Sequence, residues 1–479
     1  MARPGTQIIS RDVPPPRSAP TNTGVWFVAG ITEKGDAEPR LVRSMNEFED
    51  VFGSRLSTSY LYDAAETYFR EGGNRLYVSR VFGPTPVEAS VVLDTAGAAD
   101  ALTVTAKSPG SWGNALSVAV TAGDTAGEFK VVVYYNDVVV ETSPSLATAA
   151  DAAAWAENSD YVDIEDEGNG DPATVAAQDL TSGTDDSSNA TDATYEAALS
   201  RFTRDLGPGQ VSYPGRTTTT AHADLMEHAA ANNRIAILDG PNSASDSTLK
   251  TASASVRANA NARYGAMFAP WVRVPGITGG TTRLVPPSAV VAGVIARNDG
   301  LFRSPNAPAA GELGQSNFVL SVEASWTDSA RESLNDSNVN IIRSMYGNFR
   351  IYGWRTGVGS TGAQAKWLQL SNARLNMAIV AKADEIAERY VFAEIDGQGR
   401  KLSQFYGDLV AMLLDYYNAG SLYGQTPDDA FAVQVGPEVN PIEELAAGNL
   451  RATLAVRMSP FAELVTIEIV KVALTEAVA

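Results

Sequence analysis

Cysteine is absent from the 479 residues, which excludes disulfides, thiolate nucleophiles and Cys-ligated zinc. Histidine is nearly absent: His222 and His228 are the only two. Basic charge is scarce, with 36 Lys and Arg against 56 Asp and Glu and a net charge of −20. The chain therefore lacks the basic footprint with which non-specific nucleic-acid binders displace phosphate counterions. No apolar run reaches the roughly 20 residues of a membrane span, and the start of the chain has no signal-peptide core. The expectation is a chain made soluble in the cytoplasm. What is abundant is apolar side chain, 44% of the total, in a sequence about three times a typical domain length, so two to four domains are expected.

The charge is concentrated. Residues 91–200 hold 19 Asp and Glu but only Lys107 and Lys130 as basic residues, while 350–479 hold 11 basic and 15 acidic. The acidic stretch is rich in Ala, Thr, Ser, Asp and Gly, as in Asp163-Ile164-Glu165-Asp166-Glu167-Gly168, and its alternating runs at 116–121 and 130–140 predict strands. It reads as a β-rich inserted domain on a solvated face. Calcium is the sharper alternative, but the spaced Asp-x-Asp-x-Asp-Gly of an EF-hand loop is missing.

Outside the insert the rhythm is β-α-β. The run Gly-Val-Trp-Phe-Val-Ala-Gly at 24–30 predicts a strand buried on both faces. A helix is expected over 59–71, with Leu61, Ala64, Ala65, Tyr68 and Phe69 on one side and Gly72-Gly73 as the stop, then a strand over 76–82. After the insert come a helix at 222–232, a strand at 234–241, a helix at 249–264 and a strand at 265–272. One α/β domain interrupted by the insert is the economical reading. Two further helices are expected at 371–390, with Leu375, Ile379, Ile386 and Tyr390 in one stripe and a Ser near the N-cap, and at 403–419, with Phe405, Leu409, Leu413 and Tyr416 in another and Gly420 as the stop. Both ends of the chain are strand-prone: 6–13, before Pro14-Pro15-Pro16, and 463–474. A terminal strand carries unpaired backbone groups that need a partner in the same molecule or a neighbour.

Catalytic patterns fail one by one. His222 and His228, six apart, stand about 120° from each other round a helix and do not match a zinc pair; they read as surface helix residues. Gly-x-Ser-x-Gly is absent, and Ser288 sits in Pro286-Pro287-Ser288-Ala289 rather than in a nucleophile turn. Residues 276–280 are glycine-rich, but neither Walker A nor strand-linked GxGxxG spacing occurs. No catalytic, cofactor-binding or metal-ligating residue is nominated.

The segment Arg283-Leu284-Val285-Pro286-Pro287-Ser288-Ala289-Val290-Val291-Ala292-Gly293-Val294-Ile295-Ala296-Arg297-Asn298-Asp299, followed by Pro305-Asn306-Ala307-Pro308, resembles the corresponding region of contractile tail sheath proteins, found in long contractile bacteriophage tails and related injection machines. The resemblance continues in order through Asn338-Val339-Asn340-Ile341-Ile342-Arg343, Gly353-Trp354-Arg355-Thr356, Leu422-Tyr423-Gly424, Ala430-Phe431-Ala432-Val433, Asn440-Pro441, Gly448-Asn449-Leu450 and Pro460-Phe461-Ala462-Glu463. Upstream, Pro4-Gly5, 25–30, 48–53 and Phe69-Arg70-Glu71-Gly72-Gly73 also fit.

The resemblance implies an α/β and α+β multidomain fold. Its parts would be an N-terminal arm (1–20), a subtilisin-like α/β domain without protease residues (21–90 and 201–349), the outer β-rich insert (91–200), an inner C-terminal sheath domain (350–462) and a C-terminal strand arm (463–479). It implies a mechanical subunit that polymerises helically around a rigid inner tube and contracts, with baseplate and tail-terminator proteins at the ends, no cofactor, no nucleic-acid partner and no membrane insertion. Assembly would take place in the host cytoplasm, and the product would be a virion tail or an extracellular particle. The arms, through Ile8, Ile9, Val13, Val465, Ile467 and Ile469, would join sheets of neighbouring subunits. Where the family's tube-facing helix opens with Arg-Arg-Leu, this chain has Asn372-Ala373-Arg374-Leu375. The expected cationic contacts to an acidic tube are Lys366, Arg374, Lys382 and Arg389. The competing expectations are a non-contractile tube, baseplate or adhesion component and, further off, a subtilisin-like hydrolase.

Overall fold

The structure is a computed structural model and describes residues 22–301 and 305–464. The expected arm residues Ile8, Ile9, Val13, Val465, Ile467 and Ile469 lie outside the described residues.

Runs too apolar to face water on either side build the centre. Trp26–Gly30, Ile235–Asp239 and Gly265–Ala269 are buried at every position, the pattern of parallel strands covered on both faces. They belong to an eight-stranded sheet that runs, edge to edge, Asn348–Ile351, Val339–Met345, Gly265–Ala269, Ile235–Asp239, Gln210–Ser212, Trp26–Gly30, Leu76–Arg80, Arg40–Val42. The six inner strands are parallel, and each edge strand is antiparallel to its neighbour. Counted along the chain, the parallel strands lie in the order 2-1-3-4-5-6, so the sheet is doubly wound. Helices Met45–Phe52, Leu61–Arg70 and Pro287–Leu301 cover one face. Asp192–Ser200, Thr219–Ala231, Asp246–Ala258 and Asp328–Asp336 cover the other.

Helix Pro287–Leu301 is the most enclosed, with Pro287 through Ala296 all buried. Its first turn is fixed by Asp239, whose carboxylate accepts from the Ser288 backbone N–H at 2.7 Å, from Ser288 Oγ at 2.9 Å and from the Gly215 N–H at 2.9 Å. Burial pushes the Asp239 carboxyl up to about 6. Further along, Gly293 lets this helix meet Leu61–Arg70: a Cβ there would lie 2.5 Å from the Glu71 Cβ and 2.9 Å from the Tyr68 carbonyl oxygen. Gly293→Ala is therefore expected to lower stability by about 1–3 kcal/mol through overpacking. A urea midpoint equal to the wild type would mean that the two helices separate without cost.

The insert is a two-sheet sandwich. One sheet joins Ser90–Asp94, Asp100–Ala106 and Val162–Asp166; the other joins Val175–Asp179, Leu116–Ala122, Phe129–Tyr135 and Val138–Thr142. Leu102, Val104, Val118, Val120, Phe129, Val131 and Val133 fill the space between. Asp163, Glu165, Asp166 and Glu167 are all exposed. The domain leaves and rejoins the chain side by side, with the Gly83 N–H donating to Asp185 O at 2.9 Å and Val87 bridged to Thr184. Arg80, fully buried, ties the junction from within by donating to Gly35 O at 2.9 Å, Glu33 O at 3.0 Å and Pro109 O at 2.7 Å.

Four expectations change. The run 130–140 is two strands, because Asn136 and Asp137 both take left-handed backbone (φ 51° and 62°), the geometry of a two-residue hairpin turn. Residues 192–200 are not part of the insert: Ala198 and Leu199 pack in the core of the α/β domain beneath Phe27 and Phe202. The histidines are not on the surface. His222 and His228 are 3% and 8% exposed, because their rings turn inward to the Asp239 carbonyl at the end of a central strand and to the buried Arg234, on a helix whose polar face looks solvated in sequence. Ser371, finally, does not cap its helix, whose N-cap is Gln369; its Oγ accepts from Trp354 Nε1 at 3.1 Å.

Candidate assembly interface

The two long C-terminal helices are where apolar periodicity predicts them, at Leu370–Glu388 and Arg400–Asn418. Leu375, Ile379 and Ile386 of the first pack on Phe405, Leu409, Met412 and Leu413 of the second. Gly420, at φ 77°, turns the chain away after the second helix. The first helix also enters the main core at its start through Leu370, Ala373 and Met377, so it bridges the α/β domain and the C-terminal lobe.

The lobe is completed by a hairpin, Phe431–Gln434 against Thr453–Val456 in antiparallel register. Phe431, Val433, Leu454 and Val456 turn inward to the helices; Ala432, Gln434, Thr453 and Ala455 are exposed. Among the described residues, no third strand pairs with either one. The Arg457 N–H donates to Ala430 O at 2.8 Å, and antiparallel alternation from that bond directs the backbone groups of Val433 and Leu454 outward on opposite edges. A two-stranded sheet with two open edges is marginal alone and a template for added strands.

The four expected tube contacts separate. Arg374 is withdrawn. Its side chain is 0% exposed, donating from Nη2 to Asp299 Oδ2 at 2.6 Å and from Nη1 to Pro305 O at 3.1 Å. The helix start is sunk in the core, so this charge serves the fold. Lys382 is mostly covered and binds Glu385 on its own helix at 2.6 Å. Arg389 is exposed and only loosely paired, 3.7 Å from Asp408. Lys366 is exposed beside the Trp367 ring, which Arg263 also overlies at 5.3 Å. Lys366 and Arg389 lie at opposite ends of the helix, about 30 Å apart, so they do not form one patch.

Sequence reading missed the connection between the helices. Val391 and Phe392 are fully or largely exposed there, and Phe392 has left-handed backbone at φ 61°. Exposed Arg389 and Arg400 flank this tip. The pair Gly397 and Gly399 around Gln398 is the signal that could have marked it as a projecting turn.

The groups nearest to a catalytic constellation do not make one. His222 Nε2 donates to the backbone carbonyl of Asp239 at 3.0 Å, while the Asp239 carboxylate is taken up by Ser288 and Gly215. His228 Nε2 accepts from Arg234 Nη1 at 2.8 Å. Among the described residues, no group of three or more His, Asp or Glu is placed to hold a metal ion, and no helix is long and apolar enough to cross a membrane.

The sequence matches the family model of the phage tail sheath protein β-sandwich domain over residues 85–186, which is the insert, and that of the phage tail sheath protein central domain over residues 188–356. Similar solved structures include a sheath tail protein from Listeria innocua (15% identity, 88% of this chain and 90% of that one, TM-score 0.64). A sheath tail protein from Desulfitobacterium hafniense is also similar (15% identity, 90% and 93% covered, TM-score 0.59). A third is the helical sheath of the anti-feeding prophage in its contracted state (15% identity, 98% and 99% covered, TM-score 0.54). At these identities the structures speak to the fold alone. No curated protein matches the sequence. With the two domain models meeting end to end across more than half of its length, the chain belongs to the contractile tail sheath protein family.

Proposed function

We propose that this protein is the subunit of a helical sheath that surrounds a rigid inner tube and, on contraction, drives that tube through a target cell envelope. The observation that carries the reading is the hairpin Phe431–Gln434/Thr453–Val456, whose two edges take no further strand among the described residues. One edge suits the N-terminal arm of one neighbour, through Ile8, Ile9 and Val13, and the other suits the C-terminal arm of a second, through Val465, Ile467 and Ile469. Each joint would make about four to six backbone hydrogen bonds worth roughly 0.5–1.5 kcal/mol apiece. Such joints hold a lattice together while the bodies between them rotate. The C-terminal lobe faces the tube, with Lys366, Lys382 and Arg389 as its cationic contacts; weak surface pairs suit a contact that must break. The sandwich faces outward, where its exposed carboxylates keep particles and free subunits apart. The doubly wound domain takes the place of the family's subtilisin-like domain without its protease groups. Baseplate and terminator proteins would cap the two ends, and assembly would precede release of the particle from its host.

Electron microscopy of the full-length chain beside a variant lacking residues 1–20 tests this. The expected result is striated hollow cylinders from the full-length chain, alone or with its tube and baseplate proteins, and none from the variant. Full-length chain that forms no cylinder even with those proteins present would end the sheath reading. Cylinders from both would leave the sheath and remove the N-terminal joint.

A further inference from the structure

Three segments singled out in the sequence, 338–343, 353–356 and 460–463, converge on one point of the fold. Asn340 is fully buried in the central sheet, and its side chain holds both backbone groups of Arg355. Asn340 Oδ1 accepts from the Arg355 N–H at 2.7 Å, and Nδ2 donates to Arg355 O at 2.8 Å and to Met267 O at 3.0 Å. Nη1 of Arg355 donates to Asn335 O at 3.0 Å. The remaining edge of the guanidinium is thereby aimed in one direction. It meets Glu463, with Nε and Nη2 at 3.1 Å and 2.5 Å from Oε2. Gln369, bridged to Arg355 across paired extended segments, grips the same stretch of chain. Its Nε2 donates to Phe461 O at 3.1 Å, and its Oε1 accepts from the Phe461 N–H at 3.4 Å.

We propose that Arg355 and Gln369 form a clamp that fixes where and in which direction the C-terminal segment leaves the subunit, and that this clamp is required for polymerisation. The proposal rests on the exchanged-arm reading above. Its physical ground is preorganisation. An arm that must reach the hairpin of another copy does so at an effective concentration set by how its base is held, and a base free to swing dilutes it. A fork–carboxylate pair adds direction to the hold, which a lysine or a neutral amide would not. The pair also places the base of the arm on Asn340, so a pull on the segment passes into the central sheet without going through the small C-terminal lobe. Arg355 and Glu463 are positioning residues: the strand joint itself lies elsewhere.

The test compares the full chain with Glu463→Gln and Glu463→Asp, the second keeping the charge on a side chain one methylene shorter. Three quantities are read: the protein concentration at which cylinders appear, the thermal midpoint of the monomer, and the hydrogen exchange of the Phe461 amide. The expected result for Glu463→Gln is at least a tenfold rise in the assembly concentration and faster Phe461 exchange, with the monomer midpoint unchanged. Glu463→Asp should fall between it and the wild type. Assembly of Glu463→Gln at the wild-type concentration overturns the clamp and leaves the sheath reading standing, as does a loss of assembly that merely follows a lowered monomer midpoint. A wild-type chain that forms no cylinder with its tube ends the sheath reading, and unchanged Phe461 exchange in Glu463→Gln then removes the clamp as well.

Discussion

Arg374→Met is expected to lower the unfolding free energy by about 3 kcal/mol, toward the lower end of the roughly 3–5 kcal/mol seen when one member of a buried pair is removed. Methionine fills most of the volume but strands Asp299, which is 11% exposed and, among the described residues, keeps the Thr23 hydroxyl, at 2.5 Å, as a side-chain donor. The Pro305 carbonyl loses its donor as well. Pairing the change with Asp299→Asn should recover much of the loss, since the orphaned charge is then gone; the cycle of single and double variants isolates the coupling. Urea midpoints provide the measurement. The same experiment separates two roles for this residue. A fold role predicts a destabilised monomer, whereas a tube-contact role predicts a monomer of wild-type stability that fails only when the tube is added. Arg374→Met with an unchanged midpoint would return Arg374 to the list of tube contacts.

Acidification should strip the contribution of two buried histidines from the α/β domain as the pH falls below their ordinary 6.5. Burial holds the His222 imidazole down at about 4, and burial together with the Arg234 charge holds that of His228 at about 3, against an ordinary 6.5. Both folded values are depressed, so the fold keeps the neutral rings. The full contribution is present above pH 6.5, and it is lost as the pH falls from there toward the folded values, because the unfolded chain takes up protons that the folded one refuses. At about 1.4 kcal/mol per unit, each ring costs roughly 3 kcal/mol by pH 4. Asp239, raised to about 6, works in the opposite sense: its neutral form suits the fold, and stability returns as the pH drops through that value. Asp224, pushed up to about 6 by burial and by its acidic neighbours, acts in the same sense, so these two carboxyls offset much of what the rings lose. The histidines are isolated by difference. The double variant His222→Gln/His228→Gln keeps a donor for Asp239 O and an acceptor for Arg234, so the gap between wild type and variant should narrow, or reverse, by about 5–7 kcal/mol between pH 7 and pH 4. A gap independent of pH would mean that the rings titrate normally and are reached by water.

The elements that repeat a strong local pattern were legible. Continuous apolar runs gave away Trp26–Gly30, Ile235–Asp239 and Gly265–Ala269, since a strand covered on both sides has no polar position to alternate with. Helical stripes gave away Leu61–Arg70 and the two long C-terminal helices, where apolar side chains at i and i+4 face a core. Where two readings share one pattern, local reasoning failed. A run of valines and tyrosines at 129–142 conceals its turn, because Asn and Asp are common in many contexts and only the backbone φ tells a turn from an exposed pair. Arg374 at the start of a helix looks like any surface cation until Asp299, 75 residues away, is placed beside it.

Composition and motif order already identify the kind of protein: no thiol or paired-histidine chemistry, an acidic domain set into an α/β frame, and ordered motifs similar to those of contractile sheath proteins. These are sums and local patterns, and a chain carries them whether folded or not. The tertiary structure alone decided which charges are available. It removed Arg374 and both histidines from the surface, covered most of Lys382, left Arg389 outside, and joined Asn340 to Arg355 and Arg355 to Glu463, the last two 108 residues apart. The reason is physical. Whether an ionisable group meets water or a counter-charge depends on long-range contacts in three dimensions, and the free energy of a charge changes by several kcal/mol between those surroundings while its sequence neighbours stay the same.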